Sequence, residues 1–132
     1  MKEKLKKLSG YFGLFGNSVK IHGLNFFGVK NSKALQEFYF NENFEIEMFL
    51  LIKHSTYETF IDAGAYFGYF SIFANKVASV DNVFAYEADP DNFDMLCKYV
   101  EHNSASVTTI NKAVGDFKGA IEFYKPIYSG TT

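Results

Sequence analysis

Two periodicities alternate along the chain. Ser18-Val19-Lys20-Ile21-His22 alternates polar with apolar residues before Gly23, as a half-buried strand does, and Leu24 to Lys30 reads as its return strand. The stretch around this hairpin, Tyr11 to Phe40, is glycine-punctuated and aromatic. From Asn41 to Lys53 the spacing lengthens. Phe44, Met48, Leu51 and Ile52 recur at three and four, with Asn41 or Asn43 as N-cap and Glu42, Glu45 and Glu47 in the early turns. That pattern predicts an amphipathic helix of about three turns.

Beyond His54-Ser55-Thr56, short apolar runs alternate with helical patterns. Thr59-Phe60-Ile61 predicts a buried strand ending at Asp62, and Gly68 to Val77 a helix with Phe70, Phe73, Ala74 and Val77 on one face. Asn82 to Tyr86 is a second strand, followed by a helix from about Pro90 to His102. Proline suits its first turn, where the missing N–H is no loss, and Phe93, Leu96, Cys97 and Val100 form the inward stripe. Val107 to Ile110 is a third strand, and Ala120 to Tyr124 a fourth after a Gly119 turn. Strands alternating with ten-residue helices predict parallel βαβ units with right-handed crossovers and a sheet covered on both faces. The expected class is α/β: an aromatic-rich hairpin and helix over 1–56, then a parallel-sheet core over 57–132.

Composition narrows the picture. At 132 residues the chain is one small domain or part of one. Hydrophobic residues at 48% and charged residues at 21% exclude intrinsic disorder. A net charge of -2 provides no general attraction for nucleic acid, which therefore is not the expected partner. The longest apolar run, Met48 to Ile52, is far short of the roughly 20 residues a membrane span needs. Met1 to Leu8 is lysine-rich but has no apolar run and cleavage site behind it, so it reads as a solvated lead-in rather than a signal peptide. Cys97 is the only cysteine, which leaves no internal disulfide, and no Cys/His cluster has metal-ligand spacing; a reducing cytoplasm is the expected setting. Cys97 lies on the apolar stripe of its helix and reads as a small core hydrophobe. His22, His54 and His102 have no partner acid at motif spacing and read as surface residues. Aromatic residues at 19%, sixteen Phe and nine Tyr, are expected mostly in the core.

The chemically informative stretch is Phe60-Ile61-Asp62-Ala63-Gly64-Ala65-Tyr66-Phe67-Gly68-Tyr69-Phe70-Ser71, a strand running into a glycine turn and then a helix. In an open parallel sheet, ligands bind at the carboxyl ends of strands, and Gly64 and Gly68 let the backbone turn sharply and approach a ligand with no Cβ in the way. Asp62, at the strand's end, would orient the loop and reach a cationic amino group. Glu87 ends the next strand, where a carboxylate can accept hydrogen bonds from both hydroxyls of a ribose lying across the first loop. Together they predict an adenosine-type ligand. Gly64-x-x-x-Gly68 is not Gly-x-Gly-x-x-Gly; Tyr66 stands where a pyrophosphate would need glycine, which disfavours NAD and FAD. A Gly-x-x-x-x-Gly-Lys-Ser/Thr loop for a triphosphate is also missing. S-adenosylmethionine, with ribose, adenine and an amino acid but no phosphate, fits the acid-and-glycine loop best. Tyr66 and Phe67 lie in the loop, where one ring could flank the cofactor, and Asp89 and Asp91 read as helix N-terminal acids.

These residues resemble the FkbM family of S-adenosylmethionine-dependent methyltransferases over about Phe38 to Tyr124, roughly two-thirds of the chain. The family's first motif, an Asp, a Gly, then Ala-Asn-x-Gly-Tyr, is matched by Asp62, Gly64, Ala65, Gly68 and Tyr69. Its second, a Glu followed by Pro and then Asn, is matched by Glu87, Pro90 and Asn92, with Leu96 and Asn103 continuing the helix. Asn111 to Asp116 is similar to the family's stretch after the third strand, so Asn111, Ala113 and Asp116 could border the adenine. Tyr66 replaces the family's usual Asn, and Ala88 its frequent Pro. The resemblance implies a Rossmann-like methyltransferase fold, truncated after the third core strand because the family continues into a strand with a Lys-x-Asp-x-Glu-Gly type motif. It also implies O-methylation of a sugar or small-metabolite hydroxyl, with Asp62, Gly64, Ala65, Tyr66, Gly68, Glu87, Ala88, Asn92 and Ala113 around the cofactor. No catalytic base is identified.

Two rival readings stand beside this one. A truncated or split cofactor-binding remnant would act as an interaction module, and a nicotinamide-dependent oxidoreductase would use the same turn. With its sheet incomplete, the first core strand would present an unpaired edge for an oligomer or partner to cover.

Overall fold

Among the described residues of the computed structural model, 18–27, 33–41, 43–120, 122 and 124, the two periodicities resolve into two sheets and four helices. His22 and Gly23 both take positive φ, 49° and 85°, as a two-residue hairpin turn requires. They join β1 (Ser18–Ile21) to antiparallel β2 (Leu24–Phe27), with Ile21 opposite Leu24. Two helices follow, α1 (Lys33–Phe40) and α2 (Ile46–Lys53). The βαβ part then runs β3 (Thr59–Ala63), α3 (Tyr69–Lys76), β4 (Asn82–Tyr86), α4 (Pro90–His102) and β5 (Thr108–Ile110).

The second sheet is parallel, in the order β3-β4-β5. Its register places Asp62, Ala85 and Thr109 in one row and Ile61, Phe84 and Thr108 in the next. Adjacent rows point to opposite faces. Asp62 bonds Ser71 of α3, and Thr109 lies 3.5 Å from Cys97 Sγ of α4, so both helices cover the same face. On the other face Ile61 is 63% exposed and Thr108 is exposed. The expectation of a sheet covered on both faces is therefore corrected. Strands added in one direction by right-handed crossovers place their helices on one side, and covering the other face takes a strand added in the opposite direction. Among the described residues β3 pairs only with β4.

The core lies between this sheet and the hairpin. Helix α3 is buried nearly all round: Ser71, Ile72 and Ala74 are inaccessible, Tyr69 packs on Phe26 and Phe73 on Phe49. Tyr99 of α4 packs between Phe26 and Phe27 and donates its hydroxyl to the Phe27 carbonyl. Burial first, then Tyr66, pushes that phenol up to about 12, so it stays a neutral donor. Asn103 clips the other side of β2, accepting from Asn25 N–H and donating to Asn25 O, each at 2.8 Å. One apolar cluster thus includes residues from both sides of position 56.

Several element assignments change. The helix expected over Asn41–Lys53 begins only at Ile46, after Glu45 in a left-handed conformation, and Asn41 Oδ1 accepts from Asn43 N–H in the preceding turn instead of capping a helix. Phe49 and Ile52 face inward, whereas Met48 and Leu51 face out, Leu51 being 66% exposed. Ile-Glu-Met-Phe-Leu-Leu-Ile-Lys is apolar on every side, so its period could not select the buried face. Helix α1 was not anticipated in the aromatic stretch. The expected stripe of α4 omitted Tyr99, and Val77, expected on the inward face of α3, is the exposed residue that follows the helix. Residues 28–30 of the expected return strand lie outside the described residues, as do residues 1–8, Glu42, Ile121 and Phe123; Ala120, Glu122 and Tyr124 of the expected fourth strand are described and are in no strand. His22, His54 and His102 are exposed, as expected. No helix among the described residues is long and apolar enough to cross a membrane.

Candidate functional site at the carboxyl ends of the strands

Ala63 and Tyr86 end β3 and β4 in register, so the loops that follow leave the sheet side by side. The Tyr86 carbonyl accepts from both Gly64 N–H and Ala65 N–H, at 2.9 and 2.8 Å. Ala65 O then accepts from Gly68 N–H at 2.7 Å, closing a tight turn around Tyr66 and Phe67. Gly64, Tyr66 and Gly68 all take left-handed φ, at 84°, 54° and 79°. Glycine does so freely; tyrosine pays about 1–2 kcal/mol. A Cβ on Gly64 would meet nothing within 4 Å, whereas one on Gly68 would collide with Leu96 Cδ1 of α4. The two glycines thus do different work. Gly64 leaves open space over the turn, and Gly68 brings the start of α3 against α4.

Glu87 is the hub. It is 8% exposed, and its two carboxylate oxygens accept from different loops, Oε2 from Tyr66 N–H and Oε1 from Asp89 N–H, both at 2.8 Å. Its own backbone donates to Ile110 O of β5, and Asn111 Nδ2 donates to the carbonyls of Glu87 and Ala88 at 2.8 and 3.2 Å. The residue expected to read a ribose therefore also ties three strand ends together. Each carboxylate oxygen can accept more than one hydrogen bond, so a lone pair on each remains for further donors.

Asp62 stands at the start of α3. Its carboxylate accepts from the Ser71 hydroxyl at 2.6 Å. Gly68, the N-cap of α3, has no side chain to cap the helix, and the strand's aspartate is instead tied to the side chain of the third helical residue. Burial pushes the Asp62 carboxyl above its ordinary range; hydrogen bonding to Ser71 opposes this, and the Glu87 charge adds to it. Next to it, Tyr66 is partly exposed and stacks on Phe67, with centroids 3.9 Å apart.

Of the residues singled out from sequence, the structure brings Asp62, Gly64, Ala65, Tyr66, Gly68, Glu87 and Ala88 together. Asn92 lies in the first turn of α4, where its backbone N–H is held by Asp89 at 3.4 Å; Asp89 and Asp91 are acids at the helix N-terminus, as expected, and Asp89 is its N-cap. Ala113 is exposed on the segment beyond β5, and no hydrogen bond joins it to the cluster. Ser71 was missed. Its signal was its place three residues into a helix whose N-cap is glycine, where an acceptor must come from elsewhere. No family model, curated protein or solved structure matches the chain.

Proposed function

We propose that the chain carries the cofactor-binding part of an S-adenosylmethionine-dependent methyltransferase of FkbM type, with a Rossmann-like core. The observation that carries this reading is the 2.8 Å bond from Tyr66 N–H to Glu87 Oε2, which seats an end-of-strand carboxylate against a glycine turn at the carboxyl edge of a parallel sheet. Room for the ligand is consistent with the open space over Gly64. In this reading Glu87 accepts the ribose hydroxyls, Asp62 meets the cationic amino group, and the exposed Tyr66 ring flanks the ligand. The cofactor supplies an electrophilic methyl group. The protein's part is to hold an acceptor oxygen in line with it, the acceptor being a sugar or small-metabolite hydroxyl in a cytoplasmic setting.

Calorimetric titration with S-adenosylhomocysteine, beside Glu87→Ala, tests the reading. Micromolar binding by the wild-type chain, lost in a variant still folded by circular dichroism, is expected; no heat from a folded wild-type chain overturns it. NAD competing as well as S-adenosylhomocysteine would move the site to nicotinamide chemistry.

A second reading is a binding module without turnover, presenting the β3 edge to a partner or a second copy. The two loop amides already seated on Glu87 favour it, since a purely structural strut does just this. Methyl transfer by the isolated chain would eliminate it.

A further inference from the structure

We propose that Ser71 is a positioning residue for Asp62, its hydroxyl setting the orientation in which that carboxylate meets the amino group of the cofactor; the proposal rests on the cofactor reading above. Ser71 is fully buried, so its hydroxyl cannot reach a ligand itself. Its Oγ donates across to β3, reaching Asp62 Oδ2 at 2.6 Å. Two features separate this from ordinary capping. A cap engages a backbone N–H of the first turn, whereas this bond is made by a side-chain hydroxyl and serves no orphan helix donor. A buried serine inside a helix ordinarily turns its hydroxyl back to a carbonyl of its own preceding turn, and alanine would be the better helix former. Here the hydroxyl is spent on the strand. The hydroxyl holds one carboxylate oxygen, and without it the group is free to rotate about its Cβ–Cγ bond. The charged group acting on Asp62 is Glu87, at the end of the neighbouring strand, and its repulsion is opposed by the bond from Ser71.

The test uses the full chain with Ser71→Ala and Ser71→Cys, the second keeping nearly the original volume without a strong donor. Carbon-13 NMR follows the titration of the Asp62 carboxyl, assigned by its loss in Asp62→Asn, and calorimetry reports S-adenosylhomocysteine affinity. Both variants should raise the Asp62 midpoint by about one unit and weaken binding about tenfold, since losing a hydrogen bond to a charged group has about that effect. A wild-type chain that binds, with variants that bind equally or leave the Asp62 midpoint unmoved, overturns the positioning role alone. If the wild-type chain takes no S-adenosylhomocysteine, the cofactor reading falls and the positioning role with it.

Discussion

From β3 into α3 the chain turns through three left-handed residues, Gly64, Tyr66 and Gly68, and the helix it starts is tied through the Ser71 hydroxyl to an aspartate six residues before its N-cap. From β4 into α4 it turns with no left-handed residue at all: Asp89 caps the helix through Asp91 N–H and Asn92 N–H, and Pro90 takes the first helical position. The second turn is encoded locally, in adjacent residues whose preferences agree. The first is not. Its shape is held by the Tyr86 carbonyl, the Glu87 carboxylate and the Leu96 side chain, all from the neighbouring strand and helix. Whatever binds at the glycine turn is therefore coupled to the packing of α4, and the start of α4 is linked to it through Glu87, whose other oxygen holds Asp89 N–H.

The sharpest way to break this comparison is Gly68→Ala, which combines left-handed strain with a collision against Leu96 and is expected to destabilise the fold by about 3 kcal/mol. Gly64→Ala, at similar φ but in open space, should cost only about 1 kcal/mol. Urea denaturation of the pair measures the difference; equal losses would mean that Leu96 yields and the turn is as local as its counterpart. Asp89→Ala is expected to lose about 1 kcal/mol, the ordinary worth of an N-cap, with the glycine turn unchanged by amide chemical shifts. Altered shifts at Tyr66 would show that the two turns are not separable.

Asp62 provides a pH-dependent prediction. Its carboxyl is raised in the folded state from an ordinary value of 3.8, so the folded chain holds the proton more tightly than the unfolded one. The associated stability is fully present below the unfolded value and is lost as pH rises through the folded value. Asp62→Asn should remove that loss, gaining on the wild type from acid toward neutral pH in urea titrations, while binding of S-adenosylhomocysteine disappears. A wild-type stability rising over the same range relative to the variant would reverse the sign and reject the buried carboxyl. The smallest effect is expected for Tyr66→Asn. Relief of left-handed strain, about 1 kcal/mol, is offset by loss of the stack on Phe67, worth about 0.5–1.5 kcal/mol. Denaturation midpoints of variant and wild type should nearly coincide, and a large loss would show that the ring, rather than the backbone, holds the turn.

Much of the βαβ part was legible because its signals are short-range. Asn82–Tyr86 and Pro90–His102 have the limits the sequence suggested, since a bounded apolar run and an Asp-Pro start each act over a few residues. The glycine turn and Glu87 were legible for the same reason: left-handed turns restrict residue type, and strand ends follow the apolar run. Helix α2 failed where the local code was degenerate, because a segment apolar all round carries no preferred face. Tyr99 escaped the stripe of α4 because its burial comes from the hairpin, which contacts a different side of the helix from the one facing the sheet.

By itself, then, the sequence determined the order of strands and helices from Thr59 to Ile110, the parallel pairing that such an order requires, and the presence of an acid and two glycines at the strand ends. These follow from residue period and conformational restriction, which operate within a few residues. Only the tertiary structure decided that both helices cover one face of the sheet, that Phe49 and Ile52 rather than Met48 and Leu51 turn inward, that Glu87 holds two loop amides, and that Ser71 reaches Asp62. Each of those depends on which surfaces meet, and that is set by contacts between segments distant in the chain rather than by the preferences of any one of them.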